Sequence, residues 1–332
     1  MTFPCAPAAR AGDILASRPR LTQGAACTPM RRLLSLVLLV ARAAALALPT
    51  SSGIRMICSD VDGTLLTPQH RPTERTVATV LQAMQLEGLS FCACTGRGRA
   101  GAYNALGPIG DALRATGAPG VFLNGLITYG PGGEEILSEQ VVPADVVRET
   151  AAFAAKHGAA MVGFQRDRIL CSESSEWTAL FPEIYEPTPE PCGPWARIVD
   201  AEPLNKLIVL APPARHRDEL RPLLAETLGE SASLTMAIPT MLEVLPRGGS
   251  KGAGVAALLE RVGVPPDAVM ALGDAENDIG MLELAGLAIA MGNAPDAVRA
   301  VADHVSASNA EGDDGAARAI ERFVLGGSQW ES

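Results

Sequence analysis

The sequence predicts an α/β fold: a doubly wound, mostly parallel sheet core interrupted by an inserted α+β domain. Three observations carry that prediction. Two short apolar runs, Ile54-Arg55-Met56-Ile57-Cys58 and Ala268-Val269-Met270-Ala271-Leu272, each lead into an acidic cluster, Ser59 to Thr64 and Gly273 to Asp278. Apolar runs bounded by Gly and polar residues are the pattern of buried parallel strands. After the first run, strand and helix signals alternate with polar residues at each strand end, as in a wound sheet. Midway the order changes to a β-α-β-β-α-β-like succession, which marks a second domain.

Taken in order, residues 1–52 form a leader. Met1 to Thr50 holds six Arg and one Asp, about +5, which leaves about −15 on the remainder. Arg31-Arg32 precedes the apolar run Leu33 to Val40, and Ala43 to Leu48 is rich in small residues. A basic segment, a short apolar stretch and an Ala-x-Ala-like zone form a removable targeting signal. Read from Met30 the signal is secretory; read from Met1 it is Arg-rich and suits plastid-like organelle import. Arg42 interrupts the run, so no stable membrane span is expected in the mature protein.

The core follows over 53–140 and 240–328. Pro72-Thr73-Glu74 opens a helix with Val77, Leu81 and Met84 at i, i+4 and i+7, closed by Gly88. Leu89 to Cys94 is a strand ending at Thr95-Gly96-Arg97. A helix then runs to about Gly117, and Val121-Phe122-Leu123 is a strand ending at Asn124-Gly125. The inserted domain spans 141–239. It holds a helix from Pro143 to Lys156, strands at Ala160–Phe164 and Arg168–Cys171, and a Pro-rich surface loop at Glu183–Pro194. A strand at Lys206–Leu210, a helix at Arg215–Leu228 and a strand at Leu234–Ala237 complete it. At Met241-Leu242-Glu243-Val244-Leu245 the chain is expected back in the first sheet. Lys251 to Gly263 is helical, and the last steps run through Ala288-Ile289-Ala290 and Gly315 to Phe323.

Composition narrows the function. The chain has 332 residues, 48% hydrophobic and 19% charged, with a net charge of −10. That is enough to bury a core in two domains, and too acidic for general nucleic-acid binding. Cys92 and Cys94 alternate along one strand, so they share a face and are expected as small buried hydrophobes. With no disulfide framework, the body suits a reducing compartment. His70, His157, His216 and His304 show no ligand spacing and are expected on surfaces. Trp177 and Trp195 are expected to pack in the inserted domain. Its cations Arg166, Arg168 and Lys206 are expected in solvent rather than on substrate.

The chemistry sits at the strand ends, where open α/β sheets bind ligands. Asp60 and Asp62 are two apart there and reach the same region. One carboxylate can attack phosphorus, while the other protonates the leaving oxygen and later deprotonates water. Gathered carboxylates need a cation, and Mg²⁺ suits hard oxygens. Thr95 and Gly96 offer a hydroxyl and an amide to phosphate. Lys251 opens a helix after a Gly-rich loop and can offset charge on phosphate and nucleophile. Asp274 supplies a metal oxygen that Asp278 supports, and Asn277 can donate to phosphate. Asn124 stands between turn-former and site member.

Asp60-Val61-Asp62-Gly63-Thr64, Thr95-Gly96-Arg97, Lys251 and Gly273-Asp274-x-x-Asn277-Asp278, in this order, resemble the four motifs of the haloacid dehalogenase-like (HAD) hydrolases. Asn124-Gly125, Glu243-Val244-x-Pro246, Met291-Gly292-Asn293-Ala294 and Asn309-x-x-Gly312 are similar to the Cof-type sugar-phosphatase branch. The resemblance implies a Rossmannoid core with a cap. It implies Asp60 as nucleophile and metal ligand, Asp62 as acid/base binding metal through its carbonyl, and Asp274 as the third ligand. Thr95, Lys251 and Asn277 would hold the phosphate. The role of Arg97, followed by a Gly-rich stretch, is left open. The expected activity is Mg²⁺-dependent hydrolysis of a small phosphorylated metabolite through an aspartyl-phosphate, sugar phosphates first, with FMN or pyridoxal phosphate as alternatives. A sugar phosphomutase and a non-catalytic phosphometabolite-binding regulator are the rival readings. A soluble monomer or weak dimer is expected.

Overall fold

The computed structural model describes residues 53–326, and the expected leader lies outside them. β1 (Met56–Ser59) is flanked by β2 (Ser90–Cys94) and β12 (Val269–Gly273), both parallel to it. β3 (Gly120–Phe122), β13 (Leu287–Ala290) and β14 (His304–Val305) extend the parallel sheet outward. One edge adds β4 (Ile127–Tyr129) and β5 (Ile136–Glu139), an antiparallel pair absent from the sequence reading. The eight-stranded order is β14-β13-β12-β1-β2-β3-β4-β5.

Both faces of this sheet are covered, which is why its strands are apolar without alternation. Ile57, Phe91 and Met270 pack to one side, and Met56, Cys58, Cys92, Cys94 and Val269 to the other. Cys92 and Cys94 share a face, as expected. Their Sγ atoms are 3.6 Å apart, and both are buried beside Cys58. The first helix, Glu74–Ala83, is capped by the Thr73 hydroxyl accepting from the Thr76 amide. Its most buried face is Thr76, Thr79, Val80 and Ala83, a small rotation from the Val77–Leu81–Met84 stripe. The helix expected up to Gly117 is two, Arg99–Leu106 and Pro108–Thr116. They break at Gly107, where φ is 54° and Pro108 starts the second helix without an amide to satisfy.

The second sheet has six strands in the order β10-β11-β9-β6-β7-β8. These are β6 (Ala160–Gln165), β7 (Arg168–Cys171), β8 (Glu190–Pro191), β9 (Lys206–Leu210), β10 (Ser233–Ile238) and β11 (Met241–Leu245). The helices Ala144–Lys156 and Arg221–Leu228 cover one face through Val147, Phe153, Leu224 and Leu228, packed on Leu207 and Val209. Phe164, Ile169 and Ile208, on the other face, share a cluster with residues of the first sheet.

The run Met241–Leu245 corrects the sequence reading, because it lies in the second sheet and not the first. It pairs antiparallel with β10 and β9. Ile238 faces Met241 across Pro239-Thr240, and a two-residue connection joins antiparallel neighbours, whereas a parallel return needs a dozen residues or more. His216 also differs from expectation. It is fully buried, with Nε2 on the Thr240 carbonyl at 3.0 Å. Trp177 and Trp195 pack partly buried against the apolar clusters, as expected.

Candidate active site

The nucleophile candidate stands one residue past β1. Asp60 is buried, and its amide donates to the Leu272 carbonyl of β12 at 2.9 Å. Lys251 reaches it from the helix Lys251–Val262, whose first turn is capped by Ser250 accepting from the Ala253 amide. Lys251 Nζ donates to Asp60 Oδ1 at 2.6 Å and to Asp278 Oδ1 at 2.7 Å. Asp278 Oδ2 in turn accepts from the Asp274 and Ala275 amides, both at 3.0 Å. Both oxygens of Asp278 are therefore committed to shaping the loop and holding Lys251.

Asp274 is fixed from two sides. Its Oδ1 accepts from the Thr64 hydroxyl at 3.2 Å, and its Oδ2 from Asn293 Nδ2 at 3.0 Å. Gly63 makes the approach possible. Its φ is 82°, and a Cβ there would lie 2.2 Å from Asp274 Oδ2. Only glycine fits so close a turn. Asn293 also donates to the Gly63 carbonyl at 3.0 Å, so it links both acidic loops. Asn293 had appeared in the sequence only within a resemblance motif, because nothing in Met-Gly-Asn-Ala announces a partner 230 residues away.

One oxygen from each of Asp60, Asp274 and Asp278 comes within 4.8 Å of the others. Burial pushes the Asp60 carboxyl well above its usual range, against the pull of Lys251. Burial, followed by the charge of Asp278, raises Asp274 to about 6. Burial works against the charge on Lys251, but Asp60 and Asp278 outweigh it and hold the ammonium firmly protonated. Three carboxylates facing one ammonium leave negative charge uncompensated, and the donors are hard oxygens. The residues fit Mg²⁺, with Asp60 and Asp274 offering the ligand oxygens.

Asp62 faces another way. Its side chain is half-exposed and clasped by Arg97, with Nε on Oδ2 and Nη2 on Oδ1, both at 2.7 Å. Arg97 Nη1 also donates to the Ile184 carbonyl of the inserted domain. Arg97 is thus the bridge between the acid/base candidate and the cap, a role that its sequence context did not reveal. Thr95 is buried, and its Oγ1 accepts from the Arg97 amide at 3.1 Å. Asn277 Nδ2 donates to Asn124 Oδ1 at 2.9 Å. Asn124 lies in a turn where Leu123, Asn124 and Gly125 all have positive φ, and this turn lies against Gly96. The Asp60, Asp62, Thr95, Asn124, Lys251, Asp274 and Asn277 loops therefore meet at one end of the sheet.

The cap residues divide. Arg166 pairs with Glu139, and Arg168 with Glu190 and Glu202, on the exposed surface as expected. Lys206 does not follow that expectation. It is buried, and its Nζ donates to the Gly96 carbonyl at 3.0 Å and to Glu243 Oε1 at 2.9 Å. The Pro-rich segment expected as a surface loop carries Glu186, which is also buried.

A family model for haloacid dehalogenase-like hydrolases matches residues 57–320. The chain belongs to the haloacid dehalogenase-like hydrolases. It is 30% identical over 257 residues to an HMP-PP phosphatase of Citrobacter koseri, covering 76% of this chain and 89% of that one. It is 35% identical over 274 residues to the chloroplastic endoribonuclease YBEY of Arabidopsis thaliana. That match covers 81% of this chain but only 46% of the plant protein, so the chain spans about half of that relative. The fold matches a solved haloacid dehalogenase-like hydrolase from Bacteroides thetaiotaomicron with a TM-score of 0.73 at 23% identity, over 81% of this chain and 99% of that one.

Proposed function

We propose that this HAD phosphatase is Mg²⁺-dependent and hydrolyses a small phosphorylated metabolite, a sugar phosphate first, through an aspartyl-phosphate on Asp60. The supporting observation is the pairing of buried Asp60 with Lys251, beside Asp274 and two residues from a separate, guanidinium-held Asp62.

An Asp60 oxygen attacks phosphorus, and the bond to the leaving oxygen breaks as Asp62 delivers a proton to it. Asp62 then takes a proton from water, whose oxygen attacks the phosphoryl group, releasing inorganic phosphate and restoring Asp60. While clasped by Arg97, Asp62 is an acceptor on both oxygens, so proton delivery requires it to leave the guanidinium. Lys251, Thr95 and Asn277 would hold the phosphate oxygens, with Asn124 orienting Asn277. Bound by Asp60, the Asp62 carbonyl and Asp274, Mg²⁺ would offset the negative charge that phosphate brings to the carboxylates.

The Arg-rich leader, together with the chloroplastic name of the plant relative, supports plastid targeting. Among the described residues no helix is long and apolar enough to cross a membrane. The test is phosphate release from a panel of sugar, nucleotide and vitamin phosphates. Release should need Mg²⁺, stop with chelator and fall by at least about a thousandfold in Asp60→Asn. Release that survives chelation, or persists in that variant, would refute the mechanism.

A further inference from the structure

Cys58, Cys92 and Cys94 bring a second set of ligand atoms together, inside the first sheet. All three side chains are fully buried, and their Sγ atoms lie within 4.8 Å of one another. The strand register makes them converge. Cys58 of β1 stands directly beside Cys92 of β2 in the parallel pair, and Cys94, two residues further on, shares that face. Val121 of β3, with Val255 and Leu258 of the helix Lys251–Val262, packs in the same apolar cluster. Packing alone would be served as well by alanine or valine, and gives sulfur no advantage.

The spacing suits a metal ion. Three sulfurs each about 2.3 Å from one centre, in a trigonal plane, are about 4.0 Å apart. That value falls between the 3.6 Å separating Cys92 from Cys94 and the 4.8 Å bound on the whole set. Ligand type and number then select the ion. Thiolates favour soft cations such as Cu(I) and Zn²⁺ over Mg²⁺. A structural zinc takes four ligands, whereas this group holds three thiols and no His, Asp or Glu. Cu(I) is complete with three sulfurs, and an apolar surround leaves it in need of nothing more.

We propose that Cys58, Cys92 and Cys94 form a trigonal site for one Cu(I) ion, separate from the carboxylate cluster around Asp60. Ligation releases thiol protons to solvent and leaves copper at +1, so no oxidant or reductant is consumed. β1 and β2 precede the covering helix in the chain, so the ion enters as the protein folds and its binding energy becomes folding energy. Once bound, it joins the two strands that lead into Asp60 and Thr95 and holds those loops in a fixed relation.

The test uses the full-length chain, produced with copper supplied in a reducing cytosol and purified without oxygen against the Cu(I) chelator bathocuproine disulfonate. Elemental analysis should find about one copper and no zinc per chain, and X-ray absorption should show three sulfur neighbours. Cys5, Cys27, Cys171 and Cys192 would otherwise compete for copper, so the measurement is repeated with these four replaced by alanine. Content and coordination should not change. Cys58→Ala and Cys94→Ala should each weaken retention against the chelator by at least about a hundredfold, since groups that merely support a ligand already contribute up to that much. Asp274→Asn should keep its copper. A copper-free protein, zinc in place of copper, or two sulfur neighbours would overturn the inference without recourse to any variant. So would copper that survives joint replacement of Cys58, Cys92 and Cys94 by alanine, or that is lost from a four-alanine chain of native circular dichroism.

Discussion

Lys251 is buried between two carboxylates, and what it does for the fold is separable from what it does for phosphate. Replacing it by Met leaves Asp60 and Asp278 buried without their cation, which should cost about 3–5 kcal/mol in a denaturant titration. Adding Asp60→Asn to that variant should recover part of the loss. Strictly additive effects would show that the Lys251–Asp60 contact carries no coupling. Glu186 supplies a pH signature. Burial, opposed by Lys206 and Arg97 and aided by Asp62, raises its carboxyl to about 7 from an ordinary 4.5. The folded state then binds the proton more tightly than the unfolded one between those values. Stability is unaffected below about 4.5, declines as pH rises, and above 7 is lower by on the order of 3 kcal/mol. Asp274 shifts in the same direction, so the decisive quantity is the difference between the protein and Glu186→Gln. The variant should lose less stability between pH 5 and 7.5; identical slopes would show that Glu186 does not titrate there. The grouping of Asp60, Lys251 and Asp274 was legible because each follows an apolar run or opens a helix with a fixed local spacing. Glu186, Lys206 and Glu243 were not, because ordinary residue types acquire their meaning only through contacts between distant segments.

Arg97 ties two elements together, the loop after β2 and the 3-10 turn Thr178–Ile184 of the cap. Its planar fork fills both Asp62 oxygens while a third nitrogen holds the Ile184 carbonyl, and a lysine cannot reproduce this. Arg97→Lys should therefore lower kcat/KM about tenfold and speed amide exchange over residues 181–186 relative to β1. Unchanged exchange there would show that the guanidinium does not restrain the cap. The same scale explains what the sequence could reveal about the elements. Strands β1, β2 and β12 announce themselves as apolar runs stopped by polar residues, since both faces are covered. Met241–Leu245 is equally apolar, so its run says that it is buried but not in which sheet. The Pro239-Thr240 turn carried that information through its length alone. The β4–β5 pair was missed for the converse reason: β5 is only half-buried along its length and shows no sustained apolar pattern.

For the whole molecule, the net charge of −10 makes an anionic substrate an unfavourable guest unless the site reverses the local field. Lys251 alone does not do so, because Asp60 and Asp278 already share it. A divalent ion at Asp60 and Asp274 would relieve carboxylate repulsion in the folded state and have no comparable site in the unfolded chain, so binding must appear as stability. At an ion concentration 100 times its dissociation constant the gain is about 2.7 kcal/mol, a rise of several degrees in melting temperature for a chain of this size. The effect should depend on pH in a defined direction. Asp274 takes a proton near pH 6 when no metal is bound, so protons compete with Mg²⁺ below that value. Thermal melts with and without Mg²⁺ should separate clearly at pH 7.5 and converge towards pH 5. Asp274→Asn, which keeps the shape but removes a ligand charge, should abolish the separation at both. A shift of equal size at pH 5, or one that persists in Asp274→Asn, would mean that the ion stabilises the fold from somewhere other than this carboxylate cluster.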